Sequence, residues 1–228
     1  MKNELENSMM ERLQMLPLFQ GMANSDMNWI MEKLRFDFSK VSKGTYIVKQ
    51  DELCNSLIFI LNGAVRDEIE SPNMLYSFYE KCVIPTVLQP EMLFGPRTQY
   101  THSYYALEDT SILKVSKKEF WEYLVGDEVF RLNYINRISA EAQDAEKALR
   151  SIGGGTLEQR IIRFILRFCR KPVGEKLLKI KMEDLAFEMN ETRANVSKVL
   201  NDFQKRGLVN LKRSAIEIPK MELLYQTL

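Results

Sequence analysis

Close to the C-terminal end of this 228-residue chain, one short stretch gathers side chains suited to a polyanion with readable edges. Between Thr192 and Gly207, the residues Val196, Val199, Leu200 and Phe203 fall at i, i+3, i+4 and i+7, the spacing of a helix face that packs inward. Arg193, Asn195, Ser197, Lys198, Asn201 and Lys205 lie outside that stripe and are all polar. Arginine bonds guanine with two donors, asparagine pairs with adenine, and lysine serves phosphate or guanine, so the inventory matches base edges and phosphates.

Such side chains need a rigid mount. Thr192 has the hydroxyl of an N-cap, and Gly207 suits the left-handed residue that closes a helix. A shorter helix from Met182 carries Leu185, Ala186 and Met189, and the tight turn between the two gives helix-turn-helix length and layout. Leu208-Val209-Asn210-Leu211 and Ala215-Ile216-Glu217-Ile218 then read as two short strands around the basic tip Lys212-Arg213-Ser214. A winged helix-turn-helix follows, with Thr192, Arg193, Asn195, Ser197, Lys198, Asn201, Lys212 and Arg213 as its DNA-contacting set. The other reading of two amphipathic helices, a helical hairpin within a core, fits the wing and the charge less well.

The overall charge of +1 hides an asymmetry. Residues 151–228 hold 15 Lys and Arg against 9 Asp and Glu, whereas residues 1–150 hold 17 against 22. A basic unit joined to a mildly acidic one suits a partner bearing phosphates, although a basic solvated face gives the same count.

Upstream, from about Phe36 to Val115, short β-prone runs alternate with turn residues, as in residues 45–48, 56–61, 64–69, 75–79 and 111–115. This spacing predicts an antiparallel sandwich or roll. Asn62-Gly63 lies between two of the runs and predicts a type I′ hairpin. Short helices are expected over residues 9–16 and 26–34.

The period then changes. Ile135, Ile138, Ala142, Ala145, Leu149 and Ile152 recur at alternating steps of three and four, with charged residues alongside. That is a heptad seam, and it predicts a parallel homodimer through this helix; one amphipathic helix packed on its own domain is the alternative. Gly153-Gly154-Gly155 ends the helix and is expected to act as a hinge. A further helix is expected over residues 156–169, capped by Thr156. The fold class is thus α+β: a β-roll domain with N-terminal helices over residues 1–125, a dimerisation helix over 126–152, and a winged helix-turn-helix over 153–228.

Other chemistries are poorly served. Cys54, Cys82 and Cys169 stand far apart, with one histidine, His102, to assist them, so no metal site, cofactor or acid–base constellation is expected, and no enzyme. No apolar run spans a bilayer and the first residues, Met1 to Glu6, carry no secretory signal, which predicts a cytoplasmic protein without a membrane partner.

Asp184-Leu185-Ala186, Asn190-Glu191-Thr192-Arg193-Ala194-Asn195-Val196-Ser197-Lys198-Val199-Leu200 and Lys205-Arg206-Gly207-Leu208-Val209 resemble the bacterial cAMP receptor protein/fumarate-nitrate regulator (CRP/FNR) family of transcription factors. Lys43-Gly44-Thr45-Tyr46-Ile47 and Leu57-Ile58-Phe59-Ile60-Leu61-Asn62-Gly63 are similar to the opening of its cyclic-nucleotide-binding-like roll. The resemblance covers nearly the whole chain. It implies a homodimeric regulator on a palindromic operator, with double-stranded DNA and RNA polymerase as partners. It also implies that Arg193 and Lys198 occupy base- and phosphate-contacting positions, while Ala194 replaces a glutamate with which many members read cytosine.

The family's cyclic-phosphate cassette is a Gly-Glu-Leu followed by Arg-Ser, and here Pro85-Thr86-Val87 and Tyr100-Thr101 stand in its place. Glutamate and arginine are both missing, and Arg97 is offset by three residues, so cyclic AMP is not the expected effector. Thr86, Val87, Tyr100, Thr101 and Tyr104 are the residues expected to line a pocket for another small molecule, or to fill it and leave the dimer constitutively active. A signalling or scaffold module whose C-terminal domain binds protein rather than DNA is the competing function.

Overall fold

The structure, a computed structural model, describes residues 10–33, 37–150 and 154–228. Expectations for Met1 to Met9, Leu34, Phe36, Ile152 and Gly153 lie outside the described residues. The chain forms two compact units, one of residues 1–65 with 82–145, the other of residues 66–81 with 146–228.

In the first unit, four strands form an antiparallel sheet in the order β1 (Asp37–Val41), β8 (Thr110–Ser116), β3 (Ser56–Asn62), β6 (Thr86–Leu88). Leu57 to Leu61 are all buried, which explains why β3 is a continuous apolar run instead of an alternating one. The strands β2 (Tyr46–Val48) and β7 (Ser103–Ala106) pair with each other. Over this core pack a helical turn at residues 10–14, the helix α1 (Asn24–Lys33) and the first turns of α2 (Glu128–Arg150), through Leu13, Leu16, Phe19, Met27, Ile30 and Phe130. Two further bonds fix the start of α2: Asn133 Nδ2 donates to the Gln20 carbonyl at 2.8 Å, and the Tyr134 hydroxyl to the Pro90 carbonyl at 2.9 Å.

The Asn62-Gly63 hairpin is not formed. Asn62 ends β3, which pairs with β8 and β6, whereas the next strand, β4 (Val65–Glu70), belongs to a different sheet and pairs with β5 (Tyr76–Lys81). Glycine is needed at 63 for another reason. Its φ is +110°, and a Cβ there would stand 2.8 Å from the Thr110 Cα and 3.0 Å from the Asp109 carbonyl oxygen.

The second unit holds five antiparallel strands of a seven-stranded sheet, in the order β10 (Asn210–Lys212), β11 (Ala215–Ile218), β9 (Lys176–Ile180), β5, β4. Its helices are α3 (Leu157–Leu166), α4 (Met182–Glu188), α5 (Arg193–Lys205) and α6 (Met221–Tyr225). The β4–β5 hairpin, read from sequence as part of a roll domain ending at residue 125, therefore clusters with the C-terminal residues. Phe78 explains why: it is 1% exposed and shares a core with Ile161, Ile165, Leu178, Leu200 and Phe203, while Tyr76 packs edge-on to Phe164 at 5.3 Å between ring centroids. Charges join in. Glu80 pairs with Lys176, both side chains at most 5% exposed, and accepts the Arg170 backbone N–H at 2.9 Å. Asp67, 1% exposed, receives the Arg170 guanidinium at 2.9 Å. Strand β9 itself, absent from the sequence reading, is the bridge between hairpin and wing.

Candidate DNA-binding surface

The helix-turn-helix is built by two successive helix terminations. At the end of α4, the Glu191 N–H donates to the Ala186 carbonyl at 2.9 Å and the Asn190 N–H to that of Phe187 at 3.0 Å. This six-to-one and five-to-two pair is a Schellman motif, and Asn190 takes its left-handed position with φ of 49°. The chain then turns immediately into α5, whose N-cap hydroxyl, Thr192 Oγ1, accepts the Asn195 N–H at 3.2 Å. The same motif closes α5: Leu208 N–H to Phe203 carbonyl, Gly207 N–H to Gln204 carbonyl, with Gly207 at φ of 70°.

Arg160 on α3 braces the turn. Its Nη1 donates to the Met189 carbonyl at 2.7 Å, and its Nη2 lies 2.5 Å from Glu191 Oε1. The Asn195 Nδ2 donates to the other oxygen, Oε2, at 3.1 Å. The hydrogen bond from Asn195, then the one from Arg160, hold the Glu191 carboxyl below the usual range, so it is ionised. Neither Arg160 nor Glu191 was singled out in the sequence; the i, i+4 spacing of Glu191 and Asn195 is the one signal that could have found the pair.

Val196, Leu200 and Phe203 are fully buried, so the opposite face of α5 is turned outward. Thr192, Arg193, Asn195, Lys198 and Asn201 are exposed and Ser197 is half-buried, its hydroxyl accepting from Asn201 Nδ2 at 3.2 Å. In the wing, Lys212 and Arg213 are exposed at the β10–β11 tip, and Lys212 lies 3.9 Å from Glu217. The wing is tied back to α5 by the Leu211 N–H, which donates to Gln204 Oε1 at 3.0 Å. The side chains of Arg193, Lys198, Lys205 and Arg213 make no hydrogen bond or ion pair among the described residues.

In the first unit the five residues expected around an effector pocket divide. Val87, Tyr100 and Tyr104 are buried in the core, with the Tyr100 hydroxyl donating to the Ser56 carbonyl at 3.2 Å; Thr86 is half-buried and Thr101 exposed. Burial pushes the Tyr100 hydroxyl up, and it stays protonated. A residue that the sequence did not flag, Gln89, is 2% exposed and left-handed, and its amide spans the two segments. Its Nε2 donates to Thr101 Oγ1 at 2.5 Å and its Oε1 accepts the Thr101 N–H at 3.0 Å. Among the described residues no group of His, Cys, Asp and Glu is placed to hold a metal ion, and no helix is long and apolar enough to cross a membrane.

An exposed polar helix presented by a Schellman turn, with a basic-tipped wing beside it, defines the class of winged helix-turn-helix DNA-binding proteins. The Crp-like helix-turn-helix domain family matches residues 159–227. A Cyclic AMP receptor protein of Thermus thermophilus is 23% identical over 217 residues, covering 91% of this chain and 94% of that protein. Among solved structures, the Thermus thermophilus Catabolite Activator Protein overlaps with a TM-score of 0.52 at 20% identity, covering 92% of this chain and 97% of that one. A putative transcriptional regulator of the crp/fnr family from Eubacterium rectale has the same TM-score at 21% identity, over 92% and 96%. Residues 159–227 belong to the Crp-like helix-turn-helix domain family, so the chain is a helix-turn-helix transcription regulator similar to the CRP/FNR regulators, whose roll and helix-turn-helix fold it shares.

Proposed function

We propose that this regulator binds a palindromic operator as a homodimer, with α5 entering the major groove and the β10–β11 wing on the flanking phosphates. One observation carries the reading: Arg193, Lys198, Lys205 and Arg213 are exposed cations on α5 and the wing tip, without an internal partner among the described residues. Cations left in that condition in a folded unit are available to phosphates and base edges, and binding there releases counterions. Arg193, at the first turn of α5, reaches a base edge; Lys198, Lys212 and Arg213 take phosphates. Thr192, Asn195, Ser197 and Asn201 complete the set.

A second copy of the chain is the partner for the outer face of α2. Ile135 is 53% and Leu149 69% exposed, Ala142 and Ala145 are exposed, and Ile138 is half-buried. The heptad spacing of these residues is self-complementary, which suits a parallel pair of helices. Two copies would set recognition helices about 34 Å apart, one turn of DNA.

The cassette position of the roll is filled by the chain's own groups and takes no cyclic nucleotide. Supporting this are the buried Tyr100 and Tyr104, the Gln89 bridge to Thr101, and the lack of the glutamate and arginine that would hold a cyclic phosphate. The protein acts as a gene regulator in the cytoplasm, contacting RNA polymerase, rather than as an enzyme.

The test begins with selection of duplexes from a random library, followed by binding titrations of Arg193→Ala. Specific affinity is expected to fall at least about tenfold, with dimer mass and melting temperature unchanged. Lys198→Ala should instead weaken all duplexes alike and reduce the salt slope by about one. Binding to DNA that is indifferent to salt and to both substitutions would leave a protein partner as the target of this unit. Cyclic AMP and cyclic GMP are expected to leave the melting temperature where it is; a clear rise with either would show an open nucleotide pocket.

A further inference from the structure

We infer that Glu191 makes Asn195 a one-way reader, turning its carbonyl oxygen outward so that it selects a base bearing a major-groove amino group, adenine or cytosine, against guanine and thymine. The inference rests on the reading of α5 as the recognition helix. A free asparagine in a major groove is ambivalent, because its amide turns over to present either a donor or an acceptor, and both kinds of atom occur on base edges. In this chain the choice is made within the protein. Glu191 Oε2 accepts from Asn195 Nδ2 at 3.1 Å, and an ionised carboxylate has no proton to give. Were the amide to turn over, two oxygens would face each other, so the amino end stays on Glu191. Asn195 Oδ1 is left without a partner among the described residues, on an exposed side chain in the first turn of α5.

The carboxylate is itself held in place. Arg160 Nη2 lies 2.5 Å from Oε1, and the same guanidinium donates to the Met189 carbonyl at 2.7 Å. The Glu191 N–H is fixed by the Ala186 carbonyl at 2.9 Å. Glu191 therefore has little freedom to follow Asn195 away from this orientation when DNA arrives. An outward Oδ1 accepts from the amino group of adenine or cytosine, and it repels the carbonyl oxygens that guanine and thymine place at the corresponding edge. This supplies an acceptor beside Ala194, which has none of its own.

Random-duplex selection on the full chain, its Asn195→Ala and its Glu191→Gln variants tests the assignment, with melting temperatures taken for all three. The unsubstituted chain should show, in each half-site, one position where adenine or cytosine is favoured about five- to tenfold over guanine and thymine. Asn195→Ala should flatten that position alone. Glu191→Gln should let the amide turn over and reduce the preference there to about twofold or less, with other positions intact; a merely structural loss would weaken every position together. An operator whose profile ignores Asn195→Ala, or whose preference survives Glu191→Gln, overturns this inference alone. A chain that selects no duplex overturns the recognition reading with it.

Discussion

At Gly63 the backbone conformation and the closeness of neighbours act together. Any side chain there meets the backbone of Asp109 and Thr110 at 3.0 Å or less, with φ in the left-handed half of the map. Gly63→Ala is expected to cost about 2 kcal/mol or more, read as a drop in the urea midpoint, while Asn62→Ala costs a fraction of that. The glycine stood out in the sequence, yet its use did not, because a turn dipeptide announces a change of direction and says nothing about which strands will pair. Cys169 offers a pH test. Burial, with Glu80 adding to it and Lys176 opposing, pushes its thiol up to about 12. The unfolded chain's thiol ionises near pH 9, as an ordinary one does. Between those values the folded state holds a proton that the unfolded state has lost, so stability is full below about pH 8 and falls as pH rises towards 12. Chemical denaturation from pH 8 to 11 should show this decline, and Cys169→Ala should make it shallower. Arg160 and Glu191 show a different kind of gap: neither residue type is unusual, and the packing that brings α3 against the α4–α5 turn is not written in either.

At the level of elements, α3, α4 and α5 of the C-terminal unit were legible from local signals, whereas the short α6 was not. Thr156 and Thr192 cap from the front, Asn190 and Gly207 terminate in left-handed geometry, and apolar residues recur at helical spacing. The β4–β5 hairpin was legible as two strands, but its partner was not. Asp67 and Glu80 look like solvent-facing charges in a strand pattern, yet both are buried against Arg170 and Lys176. Removing one member of such a pair strands the other. Lys176→Met is therefore expected to destabilise the C-terminal unit by about 3 kcal/mol or more, whereas Lys176→Met combined with Glu80→Leu recovers part of the loss. Phe78→Ala should cost about 3–5 kcal/mol in the same unit. Thermal unfolding followed by near-ultraviolet circular dichroism reads both.

For the whole molecule, a C-terminal unit that contains residues 66–81 is discontinuous in sequence. A fragment of residues 154–228 would lack the strand beside β9, the Phe78 ring and the carboxylate opposite Lys176. It is expected to unfold without a cooperative transition, in contrast to the full chain. On the proposed dimer, Leu149→Glu should raise the dissociation constant by at least about tenfold in sedimentation equilibrium and weaken operator binding with it, since a charge placed in that seam loses its water. The sequence by itself determined what depends on neighbours along the chain: helix periods, caps, the polar face of α5, the winged helix-turn-helix and the basic bias of the C-terminal third. Those features act over a few residues and need no partner to be recognised. The tertiary structure alone decided which strands pair, where Asp67 and Glu80 find their cations, why position 63 excludes a side chain, and that Arg160 meets Glu191. Each of these joins residues through the packing of apolar faces, which is non-directional and leaves no local mark in the sequence.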